Sequence, residues 1–131
     1  MKMAFELQMV GLAALLGLIN ILWLIPLTVS KFGMKWAFSP RDQPVPFDGM
    51  IGRVQRALTN FGETFPLFAA AVFAAYLGGR LGALTCCGAL AYVVGRAVYL
   101  PVYAFGVPVL RTVAWLAAFG GICAILLALV I

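Results

Sequence analysis

A chain of 131 residues that is 65% hydrophobic and only 10% charged, with a mean hydropathy of +1.09, cannot hide its apolar side chains inside a water-soluble fold of that size. The length accommodates four spans of about 20 residues, each enough to cross roughly 30 Å of hydrocarbon, and leaves no room for a second domain. The net charge of +5 calls for no nucleic-acid partner, because basic flanks beside apolar segments meet anionic lipid headgroups. The expectation is an all-α integral membrane protein, a four-transmembrane-helix bundle forming one domain over residues 1–131.

The first apolar run, residues 7–29, lies between Lys2 and Glu6 on one side and Lys31 and Lys35 on the other. It is longer than the apolar stretch of a signal peptide, lacks a small-residue cleavage site, and follows an acid where a basic region is required, so it reads as a span. Asn20, near its middle, is expected to hydrogen-bond to a neighbouring helix. From Ser30 to Gly49 the pattern breaks, with Pro40, Pro44 and Pro46 among charged residues, and a surface connection of irregular or short helical structure is expected.

The second span covers residues 54–77, with Pro66 expected to bend it and the alanines from Ala69 to Ala75 small enough to let another helix approach. Gly78, Gly79 and Gly82 mark a turn before the third span, residues 81–100. Pro101 and Pro108 bracket the next connection, and the fourth span covers residues 109–131. No histidine is present, which removes imidazole catalysis and histidine metal sites, so no metal is expected. Cys86, Cys87 and Cys123 read as buried small apolar residues without a metal or disulfide role.

Basic residues set the orientation. Lys31, Lys35, Arg41, Arg53 and Arg56 surround the first connection, and Arg96 and Arg111 flank the third, against only Lys2 and Arg80 on the opposite side. The positive-inside rule then places both of these connections in the cytoplasm and both termini outside it.

One stretch stands apart. In RVQRALTNFGETFPLF, Arg53, Arg56, Asn60 and Glu63 recur at spacings of three, four and three, which puts them on one stripe of a helix. Arg96, Tyr99 and Tyr103 form a second stripe at similar depth, and Arg111 opens the fourth span on the same side. Glu63 falls roughly 10 Å inside the apolar segment, and an ionisable group at such depth points to function. A polar cavity in the inner leaflet is expected, lined by arginines, one carboxylate and tyrosine hydroxyls. Two blander accounts compete: arginines and tyrosines acting as interfacial anchors, and Glu63 simply paired with an arginine of an adjacent helix.

These residues resemble the MAPEG family, membrane-associated proteins in eicosanoid and glutathione metabolism, and in particular its short bacterial-type members. The pattern R-x-x-R-A-x-x-N-x-x-E-x-x-P-x-F is met by Arg53, Arg56, Ala57, Asn60, Glu63, Pro66 and Phe68, and R-x-x-Y-x-x-x-Y by Arg96, Tyr99 and Tyr103. The resemblance implies a homotrimer in a bacterial inner membrane that binds glutathione between subunits near the cytoplasmic side. Arg56, Asn60, Glu63, Tyr99 and Tyr103 would contact it, with Arg53 and Arg96 in support and Lys31 standing in for a basic residue that ends the first helix.

Guanidinium groups suit the two carboxylates of glutathione, and a carboxylate suits its ammonium. A nearby cation favours the thiolate that attacks a small hydrophobic electrophile in a transferase or peroxidase reaction. Arg111 is the nearest candidate for that cation, at an offset from its place in relatives. Leu58 and Thr64 stand where eicosanoid-forming relatives carry a glutamine and a tyrosine. The alternative, from another class, is a non-enzymatic four-span protein such as a small proton-coupled exporter that titrates Glu63.

Overall fold

A chain in hydrocarbon must satisfy its backbone amides internally, and the computed structural model, which describes residues 1–131, does so with helices alone. Of 98 backbone hydrogen bonds, 81 lie within helices, so the apolar segments carry almost no unpaired amide into lipid. The helices are α1 (Phe5–Phe32), α2 (Met34–Ala37), α3 (Gly49–Leu77), α4 (Ala83–Ala104) and α5 (Pro108–Ala128). All but α2 are long and apolar enough to cross a membrane.

Contacts between helix ends define the two faces of the bundle. At one end Lys31, in the last turn of α1, pairs with Asp48, which precedes α3, and Arg53 of α3 meets Ala104 at the end of α4. At the other, Glu6 of α1 meets Thr85 of α4. The first end carries α2, the rest of the connection from α1 to α3, the short α4–α5 connection and most of the arginines; we call it the basic end.

The connection that begins with α2 forms an aromatic foot. Phe32 stacks on Phe47 with centroids 5.6 Å apart, Trp36 lies 4.9 Å from Phe32, and the Arg41 guanidinium covers Trp36 at 4.6 Å. Such amphipathic rings suit the headgroup region. The Lys31 ammonium holds the exposed Asp48 carboxyl below its ordinary pKa. A depressed carboxyl pKa stabilises the fold above the unfolded value near 4 and ceases to do so as pH falls through the folded one. Below about pH 4 the amides of Gly49 to Gly52 should therefore exchange faster, after correction for intrinsic rates, and Lys31→Ala should remove that acid sensitivity.

The main core is built on an aromatic pair, with Phe68 of α3 stacked on Tyr92 of α4 at 4.0 Å between centroids. The Tyr92 hydroxyl and Thr64 Oγ1 share a buried hydrogen bond of 2.9 Å, which satisfies two polar groups that lipid could not. Met9 and Ala13 of α1 and Ile122 and Ile125 of α5 close around the pair. A smaller cluster of Ala57, Tyr99, Leu100 and Ala114 lies toward the basic end.

Two sequence expectations require correction. Cys87 and Cys123 are exposed on the bundle surface and Cys86 is half-buried, because α4 and α5 meet through Gly88, Gly95 and Gly121, which turns the neighbouring positions outward. Asn20 is buried, yet the expected bond to a neighbouring helix is not made by its Oδ1, which has no hydrogen-bond partner in the chain. Gly17, one turn earlier, brings α1 against the Phe61 ring, and no donor of a neighbouring helix comes within hydrogen-bond distance of the Asn20 oxygen. A buried polar contact that the sequence did not single out lies at the far end. Glu6 is 5% exposed and accepts a 2.6 Å bond from Thr85 Oγ1, which in turn accepts from the Gly82 amide.

Candidate functional site

The arginine-rich stripe of α3 divides into two edges. At about 100° per residue, Arg53, Arg56, Asn60 and Glu63 fan over roughly 80°, with Arg53 and Asn60 along one edge and Arg56 and Glu63 along the other. Arg53 and Asn60 are half-buried, whereas Arg56 and Glu63 are exposed. The first edge serves the fold. Arg53 Nε donates to the Ala104 carbonyl at 2.8 Å, meeting one of the last carbonyls of α4, which lack helical partners and carry partial negative charge. Asn60 Oδ1 accepts a 2.7 Å bond from Arg96 Nη1.

Arg96 is 3% exposed, so it acts from within the bundle. Its guanidinium lies 4.3 Å from the Tyr99 centroid and 5.5 Å from that of Phe61. These contacts offset part of the cost of burying a cation.

Tyr103 joins the two stripes. Its hydroxyl accepts a 3.0 Å bond from Arg56 Nε, its ring meets Tyr99 edge-on at 5.4 Å, and the Arg111 guanidinium covers it at 4.8 Å. Concavities open on both sides of it. One, of about 290 Å³, is lined by Arg53, Arg56, Arg111 and the turn from Gly106 to Pro108. Gly106 has φ 78°, so a larger residue there would be strained by its backbone, although a Cβ would lie at ordinary contact distance, 3.8 Å, from Arg53 Nε. The other, of about 310 Å³, runs deeper between Asn60, Tyr99 and Arg111 and ends at Thr112 and Trp115. Thr112 and Trp115 escaped the sequence reading, although Trp115 stands one turn after Arg111 on α5, and that i, i+4 spacing was a usable signal.

Two expected members are not gathered in. Glu63 lines neither concavity and has no cation within ion-pair distance. The expectation of a carboxylate held by guanidinium groups of adjoining helices does not hold within one chain: Glu63 is exposed and no arginine comes within ion-pair distance of it. Lys31 is engaged with Asp48, the chain's only ion pair, and lines neither space. Thr64 points into the core, where its hydroxyl shares a hydrogen bond with Tyr92 and lines neither space.

The chemistry available is anion binding. Arg53, Arg56 and Arg111 border one space and no carboxylate of the chain neutralises them. Arg56 uses only its Nε within the chain, and Arg111 makes no side-chain hydrogen bond, so both present free donors. A family model described as the MAPEG family matches residues 9–131. No curated protein matches the chain. The matched region holds α3, α4, α5, all but the first turn of α1 and every residue around Tyr103, and the chain belongs to the MAPEG family of membrane proteins, associated with eicosanoid and glutathione metabolism.

Proposed function

We propose that this chain binds glutathione beside Tyr103 and uses its thiol to conjugate or reduce hydrophobic electrophiles. The observation that carries the reading is the cluster of Arg53, Arg56 and Arg111 around one tyrosine, with no carboxylate to neutralise them. Glutathione brings two carboxylates to such a site, and guanidinium forks grip carboxylates through paired, charge-assisted bonds. Arg56 and Arg111 make the direct contacts, Asn60, Tyr99 and Tyr103 line the bound peptide, and Arg53 and Arg96 hold the walls. Arg111, which borders both spaces, is the cation that favours the thiolate. In a transferase reaction that sulfur forms a bond to the electrophilic carbon as the leaving group departs with its electron pair. In a peroxidase reaction the thiolate attacks one peroxide oxygen, the O–O bond breaks, the alkoxide leaves and takes a proton to become the alcohol, and a second glutathione converts the sulfenic acid to disulfide and water.

Assembly belongs to the same proposal. A charged group near the bilayer centre costs on the order of 2.5–3.5 kcal/mol even on lenient insertion scales, and Glu63 is exposed at the membrane-embedded surface of α3 with no partner in its own chain. A homotrimer places that face against a neighbouring copy, where Glu63 meets the glutathione ammonium or a neighbour's cation. The basic end faces the cytoplasm of a bacterial inner membrane and both termini lie outside, as the asymmetry of lysines and arginines favours. Residues 1–131 act as one membrane domain.

Glutathione titrated to millimolar concentrations into the detergent-purified protein should bind saturably, and a generic aryl halide should then be conjugated faster than in protein-free buffer. Absence of saturable binding refutes the reading. The freedom of Glu63 from any cation also favours proton-coupled export, since a titrating carrier acid must shed its proton. Proton-driven uptake of a cationic dye that is lost in Glu63→Gln would support export. The arginines around the cavities oppose it, because they repel cationic cargo.

A further inference from the structure

Two buried polar atoms in the middle of the bundle have no partner in the chain: Asn20 Oδ1, an acceptor on α1, and Arg96 Nε, a donor on α4. Both residues are 3% exposed. Each leaves a polar group in a region where an unmade hydrogen bond is costly.

The neighbours of the two side chains place them at one level. Gly17 seats α1 on the Phe61 ring so closely that a Cβ there would lie 2.5 Å from Phe61 Cε1. Asn20 follows one turn later on the same face, and a further turn on Trp23 packs against the cluster of Ala57, Tyr99, Leu100 and Ala114. The stretch of α1 between Gly17 and Trp23 therefore spans the interval from Phe61 to Tyr99. The Arg96 guanidinium occupies that interval, 5.5 Å from one ring centroid and 4.3 Å from the other. Gly17, one turn before the acceptor, and the Arg96 guanidinium thus both border the Phe61 ring, which brings the two orphan groups to one level of the bundle.

We infer that Asn20 and Arg96 bind one internal water molecule between α1 and α4. The water donates to Asn20 Oδ1 and accepts from Arg96 Nε, the minimum of two polar partners that an ordered buried water needs. A consequence, resting on the proposed function, is that Asn20 is a positioning residue. It fixes the guanidinium through the water, Arg96 Nη1 holds Asn60 Oδ1 at 2.7 Å, and Asn60 forms a wall of the deeper concavity. The first helix thereby reaches the site without touching ligand.

The test is a double-mutant cycle on the full-length protein in detergent, read as thermal midpoint. Asn20→Leu should lower the midpoint by several degrees and should do so far less in an Arg96→Met background, because the two losses share one interaction. A midpoint that rises in Asn20→Leu, or a shift equal in both backgrounds, overturns the water bridge. If Arg96→Met does not fold, a high-resolution density map of the unmodified protein decides: water within hydrogen-bond distance of both atoms supports the bridge, and a dry contact overturns it.

The positioning role is read separately. Asn20→Leu should weaken glutathione binding several-fold and Asn20→Asp, which retains an acceptor, should restore most of it. Unchanged affinity in Asn20→Leu overturns the positioning role. A chain that does not bind glutathione at all refutes the proposed function while the stability cycle still decides the water.

Discussion

Replacing Arg56 with alanine should weaken glutathione binding by tenfold or more. Arg56 is exposed, donates only its Nε to Tyr103 within the chain and leaves the rest of its fork free beside Arg53 and Arg111. Hydrogen bonds to a charged group contribute about 1.5–3 kcal/mol, and each 1.4 kcal/mol is a factor of ten in affinity. Arg56→Lys keeps the charge but not the paired geometry, so it should fall between the wild type and alanine. Tyr103→Phe, which removes only the acceptor of Arg56 Nε, should cost less than either. Isothermal titration in detergent orders the variants, and an Arg56→Ala affinity within twofold of wild type would remove Arg56 from the site. Thermal stability should barely move across the series, since Arg56 supports no packing that its loss would open.

The largest effect on stability is expected at the crossing of α4 and α5. A Cβ at Gly121 would lie 2.4 Å from the Gly88 carbonyl oxygen and 2.9 Å from the Tyr92 amide nitrogen. Both are backbone atoms and cannot swing aside, so the helices must separate. Gly121→Val should cost about 1–3 kcal/mol or more through overpacking and appear as a lower thermal midpoint. It should also loosen the Phe68–Tyr92 stack, which leans on α5 through Ile122 and Ile125. Gly120→Val is the control, because a Cβ there meets nothing within 4 Å. A similar loss at both positions would show that helix propensity, and not the crossing, sets the cost.

These two positions differ in how legible they were in advance. Arg56 announced itself, because a cation three residues after another, followed by an amide and an acid inside an apolar run, has few bland explanations. Gly121 did not: in a sequence with 14 glycines, nothing marks the one that faces another helix backbone. Trp115 was equally hidden, as an aromatic residue in an apolar span reads as lipid-facing until Asn60 and Tyr99 are seen beside it. Glu6 was read only as an acid that spoils a basic leader, whereas Thr85, 79 residues away, receives it in a buried hydrogen bond.

The stripe of α3 shows the boundary within a single motif. Spacings of three and four placed Arg53, Arg56, Asn60 and Glu63 together, but a stripe roughly 80° wide has two edges, and which edge faces α4 depends on how α3 is rotated in the bundle. That rotation is set by Phe68 meeting Tyr92 and by Ala57 fitting beside Tyr99. It buries Asn60 against Arg96 and leaves Glu63 outside, a result that periodicity alone could not supply.

By itself, then, the amino-acid sequence determined that four apolar helices cross a membrane and that cations, tyrosines and one acid gather toward one end, because hydropathy and helical spacing are local properties that any packing must respect. Only the tertiary structure decided which of those groups meet: Arg53 with a helix terminus, Arg96 with Asn60, Arg56 and Arg111 with Tyr103, and Glu63 with no cation of its own chain. The reason is geometric. Contact between helices depends on their relative rotation and depth, and these follow from how glycines, alanines and aromatic rings distant in sequence fit together.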